Sequence, residues 1–296
     1  MKLATLHIRG KTVACVQTES DFAVVRDGDV SSLMEQPEWR SQAAKAAESS
    51  SRRLTHAEAV FAPLVTTDRK IICCGLNYAD HISEMGRELP EHPTLFAKFA
   101  DTLCGANDRI EVRASEKVDW EAELAVMVGS HLHEADEAEA SAAIAGYAVA
   151  NDVSMRDWQN RTTQWLQGKA FDATTPVGPV LVTADEFGEE PIFDVYCYVN
   201  DEQVQHGDTS RLVFPPAKLL AYVSTFTQLR PGDLILTGTP GGVGAGAKPP
   251  RFLADGDFLR TEIPGVGSLR NQVRVEGMTS EESCAPDLER RQLTHP

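Results

Sequence analysis

At Asp119-Trp120-Glu121-Ala122-Glu123-Leu124 two carboxylates stand two residues apart, directly before Leu124-Ala125-Val126-Met127-Val128-Gly129, a run with no polar side chain. Side chains alternate across an extended strand, so this spacing puts Glu121 and Glu123 on one face and Trp120, Ala122 and Leu124 on the other. The apolar run belongs in an interior. The carboxylate pair therefore stands where the interior begins, and like charges there cost free energy unless a cation lies between them. A second apolar stretch, Tyr147-Ala148-Val149-Ala150, ends at Asn151-Asp152 and makes a third carboxylate available. Three oxygen ligands without His or Cys suit a hard ion, Mg²⁺ or Mn²⁺, that keeps waters for a substrate to displace. The same residues also read as solvated strand carboxylates, and spacing alone leaves both readings open.

Composition narrows the class. The 296 residues suffice for one large domain or one large and one small. No stretch approaches the roughly 18 apolar residues of a membrane span. Residues 1–7 alternate like a strand instead of resembling a signal peptide, so a cytoplasmic location is expected. The net charge of −16 argues against nucleic acid or an anionic membrane as partner. Six cysteines, at 15, 73, 74, 104, 197 and 284, show no zinc-type spacing and read as reduced core thiols.

Residues 1–66 read as a small separate β-rich domain: a meander over 3–8, 12–17 and 22–26, then an Ala-rich helix over 37–48. Residues 67–276 form the main domain, and 277–296 read as a flexible tail. In the main domain, residues 70–75 predict a buried strand with a Gly exit, a usual position for function in mixed folds. The helical composition of 76–86 brings His81 and Glu84 to an i, i+3 pair. Such a pair is either a general base with its orienting carboxylate or a solvated surface pair. Residues 94–99 predict a strand carrying Lys98 inward or at an edge. His7, His56, His131 and His133 read as surface or packing residues. The tract around Arg156, Trp158 and Lys169 reverses the local charge sign beside the carboxylates, as an anionic substrate would need.

Further on, a hairpin is predicted about Asn200-Asp201, and a helix from Pro215-Pro216 with Leu219, Leu220, Val223 and Phe226 along one face. Gly242, Gly244 and Ala247 nearly fit a dinucleotide fingerprint. Lys248-Pro249-Pro250 forbids the helix that must follow, so a substrate loop is expected, its Thr239 hydroxyl and amides facing a carboxylate. Strands are expected over 253–262 and 265–275.

Five motifs occur together and in order: Gly75-x-Asn77-Tyr78-x-x-His81-x-x-Glu84, Glu121-x-Glu123-Leu124, Asn151-Asp152 with Arg156-Asp157, Lys169-x-Phe171-Asp172, and Thr237-Gly238-Thr239-Pro240-x-Gly242-Val243-Gly244. Over residues 68–275 the chain resembles the fumarylacetoacetate hydrolase family. The resemblance implies an α+β, β-rich fold: a C-terminal mixed β-sandwich or roll behind a small N-terminal β-rich domain, in a homodimer. It also implies divalent-metal ligands Glu121, Glu123 and Asp152, a base dyad His81 and Glu84, and Lys169 as an electrophile. Substrate contacts are implied for Arg156, Thr239, Tyr78 and Gln159. The implied reaction is Mg²⁺- or Mn²⁺-dependent hydrolytic C–C cleavage of an acylpyruvate, an anionic keto acid. Oxaloacetate decarboxylation and oxohept-ene-dioate isomerisation or decarboxylation use the same site chemistry. Outside enzymes, the rival is an idle metal-binding scaffold.

Overall fold

The computed structural model describes residues 1–66, 69–79, 82 and 88–276. His81 and Glu84, the expected tail over 277–296, and Cys284 lie outside the described residues.

The N-terminal strands β1 (Lys2–Ile8), β2 (Lys11–Gln17) and β3 (Asp21–Asp27) form an antiparallel meander, extended by β4 (Arg53–Thr55). This meander does not stand apart: β1 pairs with β13 (Thr175–Thr183) in the register Lys2↔Val182 and Leu3↔Leu181. The other strands between are β5 (Ile71–Gly75), β6 (Thr94–Lys98), β7 (Leu103–Cys104), β8 (Ile110–Val112), β9 (Val118–Asp119), β10 (Ala122–Val128), β11 (Ile144–Asn151) and β12 (Ser154–Met155). After β13 come β14 (Asp194–Val199), β15 (Glu202–Asp208), β16 (Leu234–Leu236), β17 (Phe258–Ile263) and β18 (Gly267–Val275). One large mixed sheet runs β4-β3-β2-β1-β13-β11-β10-β16-β5-β6, and a second runs β15-β14-β17-β18-β8. The second packs over β10, β11 and β13, giving the β-rich α+β sandwich.

Two apolar cores explain the unbroken hydrophobic run. On β10, Leu124, Val126 and Val128 enter the core between the sheets, while Ala125 and Met127 enter the core on the opposite face. Both faces are covered, so neither tolerates alternation with polar residues. Helices Val30–Met34 and Trp39–Ser49 bring Leu33, Met34, Trp39 and Ala43 to the second core. The first of these is capped by Asp29, whose Oδ1 accepts from Ser32 N–H while the Asp29 N–H donates to Ser32 Oγ.

Several local expectations shift. The strand anticipated across 119–124 is interrupted at Trp120-Glu121, between β9 and β10. The helix opened by Pro215-Pro216 is Pro216–Ser224, and it buries Leu219, Leu220 and Val223. Phe226 falls beyond its end and is 61% exposed. β17 begins only at Phe258, because Ala254 to Asp257 form a turn with Gly256 at φ +86. The hairpin turns at Asn200 and Asp201, at φ +51 and +66, as that pair favours. His7, His56, His131 and His133 are exposed. Cys15, Cys73, Cys74, Cys104 and Cys197 are buried free thiols, and burial pushes Cys15 and Cys74 up to about 12. Among the described residues no helix is long and apolar enough to cross a membrane.

Candidate active site

The site forms where β10 begins and β11 ends. These strands are antiparallel neighbours, Ala122 opposite Asn151 and Glu123 opposite Ala150, so Asp152 leaves β11 beside the Glu pair. Three hydrogen bonds hold the interrupted segment in place. Asn151 Oδ1 accepts the Glu121 N–H at 3.0 Å, Glu121 O accepts the Asp152 N–H at 2.8 Å, and Gln205 Oε1 accepts the Ala122 N–H at 3.0 Å. With the backbone so fixed, carboxylate oxygens of Glu121, Glu123 and Asp152, all buried, lie within 4.8 Å of one another.

Cations close around them. Lys169, on helix Leu166–Lys169, donates to Glu121 Oε2 at 2.7 Å and to Asp152 Oδ2 at 2.8 Å. Lys98, at the end of β6, donates to Asp152 Oδ1, and neither side chain has any solvent exposure. Arg156 joins Asp119 Oδ2 (2.8 Å), Glu121 Oε1 (2.7 Å) and Gln159 Oε1 (2.8 Å). Phe96 ties the two lysines together, since it lies on β6 two residues before Lys98 and its ring centroid is 5.2 Å from the Lys169 amine. Trp165 packs at its edge, over Gly75, where a Cβ would come within 2.4 Å of the indole.

The charges respond unequally. Burial pushes Asp152 up, but Lys169 and Lys98 outweigh it and hold the carboxyl below its ordinary range. Burial would lower Lys169, and Asp152 and Glu121 reverse that, keeping it charged. Glu123 has no ammonium or guanidinium in contact among the described residues. Burial, Asp152 and Glu121 push it well up, against Lys169 and one hydrogen bond from the Gly238 N–H at 2.7 Å. Asp119, Glu121, Glu123 and Asp152 thus face three cationic side chains, one charge short, and the shortfall falls on Glu123. That uncompensated carboxylate in an all-oxygen donor set fits a hard divalent cation.

The Gly-rich loop differs from expectation. Its amides do face carboxylates, but these are the protein's own: Gly238 on Glu123, and Gly244 and Ala245 on Asp119 at 2.7 and 2.9 Å. Thr239 Oγ1 accepts from Gln205 Nε2 at 2.8 Å, which ties the loop back to β15. Arg156 and Gln159 bond each other beneath Glu121. The Tyr78 hydroxyl is buried and without a hydrogen-bond partner among the described residues, and burial, Glu123 and Asp208 raise it. Three members of this site carry no distinctive mark in the amino-acid sequence. Asp119 has no signal apart from the Glu pair beside it, Gln205 lies on the second strand of the Asn200-Asp201 hairpin, and Lys98 reads only as an inward or edge lysine.

Residues 70–274 match the model described as "Fumarylacetoacetate (FAA) hydrolase C-terminal". The human protein named oxaloacetate tautomerase FAHD2A, mitochondrial, is 44% identical over 223 residues, 74% of this chain and 71% of that one. Among solved structures, fumarylacetoacetate hydrolase from psychrophilic Exiguobacterium antarcticum superposes with a TM-score of 0.80 at 31% identity, covering 93% of this chain and 100% of that one. Maleylpyruvate hydrolase from Sphingobium sp. SYK-6, in complex with manganese(II) and pyruvate, superposes with a TM-score of 0.78 at 27% identity over 93% and 100%. The chain belongs to the fumarylacetoacetate hydrolase family of enzymes.

Proposed function

We propose that this protein is a divalent-metal-dependent enzyme that enolises a short anionic 2-oxo acid, with oxaloacetate tautomerisation as the reaction to test first. The observation that carries the reading is the buried triad of Glu121, Glu123 and Asp152 with one charge uncompensated. The name of the human relative at 44% identity supports oxaloacetate as the substrate class. Glu121, Glu123 and Asp152 would hold Mg²⁺ or Mn²⁺, which supplies Lewis acidity to the 2-oxo oxygen. Tautomerisation takes a proton from C3 and puts one on that oxygen while the C2=O π bond becomes a C2=C3 π bond, with no other σ bond broken. Lys169 is buried, charged and set between Glu121 and Asp152, and it stabilises the negative charge that develops as C3–H opens. Arg156, braced on Asp119, fixes Glu121 through its other oxygen. The Gly238 N–H orients Glu123. The resemblance assigns the proton transfer itself to His81, with Glu84 orienting it.

A second reading is hydrolytic C–C cleavage of an acylpyruvate, supported by the likeness to the maleylpyruvate hydrolase that holds manganese and pyruvate. There the same base activates water against the distal carbonyl, and pyruvate leaves with a carboxylic acid. One assay panel separates them: oxaloacetate, acetylpyruvate and fumarylpyruvate with Mg²⁺ or Mn²⁺, products identified. Accelerated keto–enol exchange of oxaloacetate without loss of carbon supports the first reading. Pyruvate plus acetate from acetylpyruvate replaces it with hydrolysis, and carbon dioxide release replaces it with decarboxylation. Turnover that survives chelation sinks the metal-dependent reading altogether.

A further inference from the structure

Lys98 offers an inference that deepens, and rests on, the metal-dependent reading. Its amine is fully buried, and among the described residues Asp152 Oδ1 is its one hydrogen-bond partner. An ammonium carries three donors, so the remaining two have no protein acceptor among the described residues. Asp152 is already held by Lys169 on its other oxygen and by its own N–H on Glu121 O, so Lys98 is not needed to place it. What Lys98 changes is the charge. Among the described residues, Asp119, Glu121, Glu123 and Asp152, ionised around a divalent ion, together with Lys98, Arg156 and Lys169 would give the loaded cluster one positive charge. Without Lys98 these described groups would sum to zero.

We propose that Lys98 keeps the metal-loaded site cationic and thereby selects doubly charged 2-oxo dicarboxylates over singly charged 2-oxo monocarboxylates. A buried unit charge acts across a few ångströms with little screening, and a substrate with two negative charges feels it twice. The same positive charge opposes the metal ion. Removing it should therefore move two affinities in opposite directions, which loss of a merely structural contact would not do.

The test compares the intact protein with Lys98→Met and Lys98→Gln, the second retaining a hydrogen bond to Asp152 should the first fold poorly. Mn²⁺ binding is titrated by electron paramagnetic resonance. Binding of oxalate, a dianion, and pyruvate, a monoanion, to the Mn²⁺-saturated protein is measured by calorimetry. Both variants are expected to bind Mn²⁺ several-fold more tightly and oxalate about tenfold more weakly, with pyruvate changed by less than about threefold. Weaker Mn²⁺ binding in the variants would overturn the inference and make Lys98 a brace for Asp152. Equal losses for oxalate and pyruvate would overturn the selectivity. Failure of the unaltered protein to bind Mn²⁺ would remove the metal-dependent reading, and this inference with it.

Discussion

Two ion pairs in this molecule, each a basic side chain on an aspartate, serve opposite ends. On the N-terminal meander, Arg52 meets Asp27 at 3.0 Å with side chains 55% and 69% exposed. At the site, Lys169 meets Asp152 at 2.8 Å with 2% and 0% exposed. Water screens the first pair, and its partners lose rotamer freedom for little return. The second has given up hydration that its geometry must replace in full, so removing one partner leaves a buried charge alone. Distance hardly differs between them; burial decides which pair matters. Within the buried set the same logic singles out Glu123, which among the described residues has no cation in contact.

The largest effect is expected at Asp152. Asp152→Ala strands the buried Lys98 and leaves Lys169 only Glu121, so a loss of about 3–5 kcal/mol is expected in chemical denaturation, together with loss of activity. A stability change within 1 kcal/mol of zero, about the scale of an exposed pair, would erase the distinction. At Glu123 the sign reverses: Glu123→Gln removes a charge that no cation contacts among the described residues and should leave the unfolding midpoint unchanged or higher. Activity should fall about a thousandfold, or about 4 kcal/mol in the barrier, with Mn²⁺ binding lost in parallel. A lower midpoint with intact metal binding would refute the assignment.

Asp29 lies between the two extremes. It is buried, but neutral donors satisfy it: the Ser32 and Thr66 amides and the Ser31 and Thr66 hydroxyls. Burial pushes its carboxyl up, and the hydrogen bonds more than offset that, so the folded-state value is depressed. Its contribution is therefore full above the unfolded value near 3.9 and is lost as pH falls through the lower folded value. Asp29→Ala should cost about 1–2 kcal/mol at neutral pH. In denaturant titrations run at successive pH values, that gap should narrow below about pH 4, and a gap that widened there would reverse the sign. The smallest effect belongs to Arg52→Ala, expected within about 0.5 kcal/mol by thermal melts and shrinking further as salt is added.

Much of the site was legible in the amino acids. Glu121 and Glu123 carry the period of a strand, and the apolar run after them announces an interior, so a charged pair at that junction is conspicuous without coordinates. Asp152 follows from a second apolar strand ending in a carboxylate. Lys98 was not legible, because one lysine in Thr94-Leu95-Phe96-Ala97-Lys98 looks the same whether it faces solvent or a buried acid. Its place comes from the ladder that pairs it with Ile71 and from the helix carrying Lys169 against β6. Asp119 was obscured by proximity to the Glu pair, and its work on Gly244 and Ala245 spans more than 120 residues. The meander's strands were visible, but not their union with β13, since hydrogen bonds between sheet edges have no local signature.

By itself, then, the sequence determined what depends on neighbours along the chain: strand periods, the Asn200-Asp201 turn, the proline-opened helix, and the type and spacing of the carboxylates. The tertiary structure decided what depends on partners far apart in sequence. It alone gave Asp119, Glu121 and Asp152 their cations, left Glu123 without one among the described residues, and brought Lys98 onto Asp152, because the energy of a buried charge is set by the groups folding brings around it and not by the residues beside it in the chain.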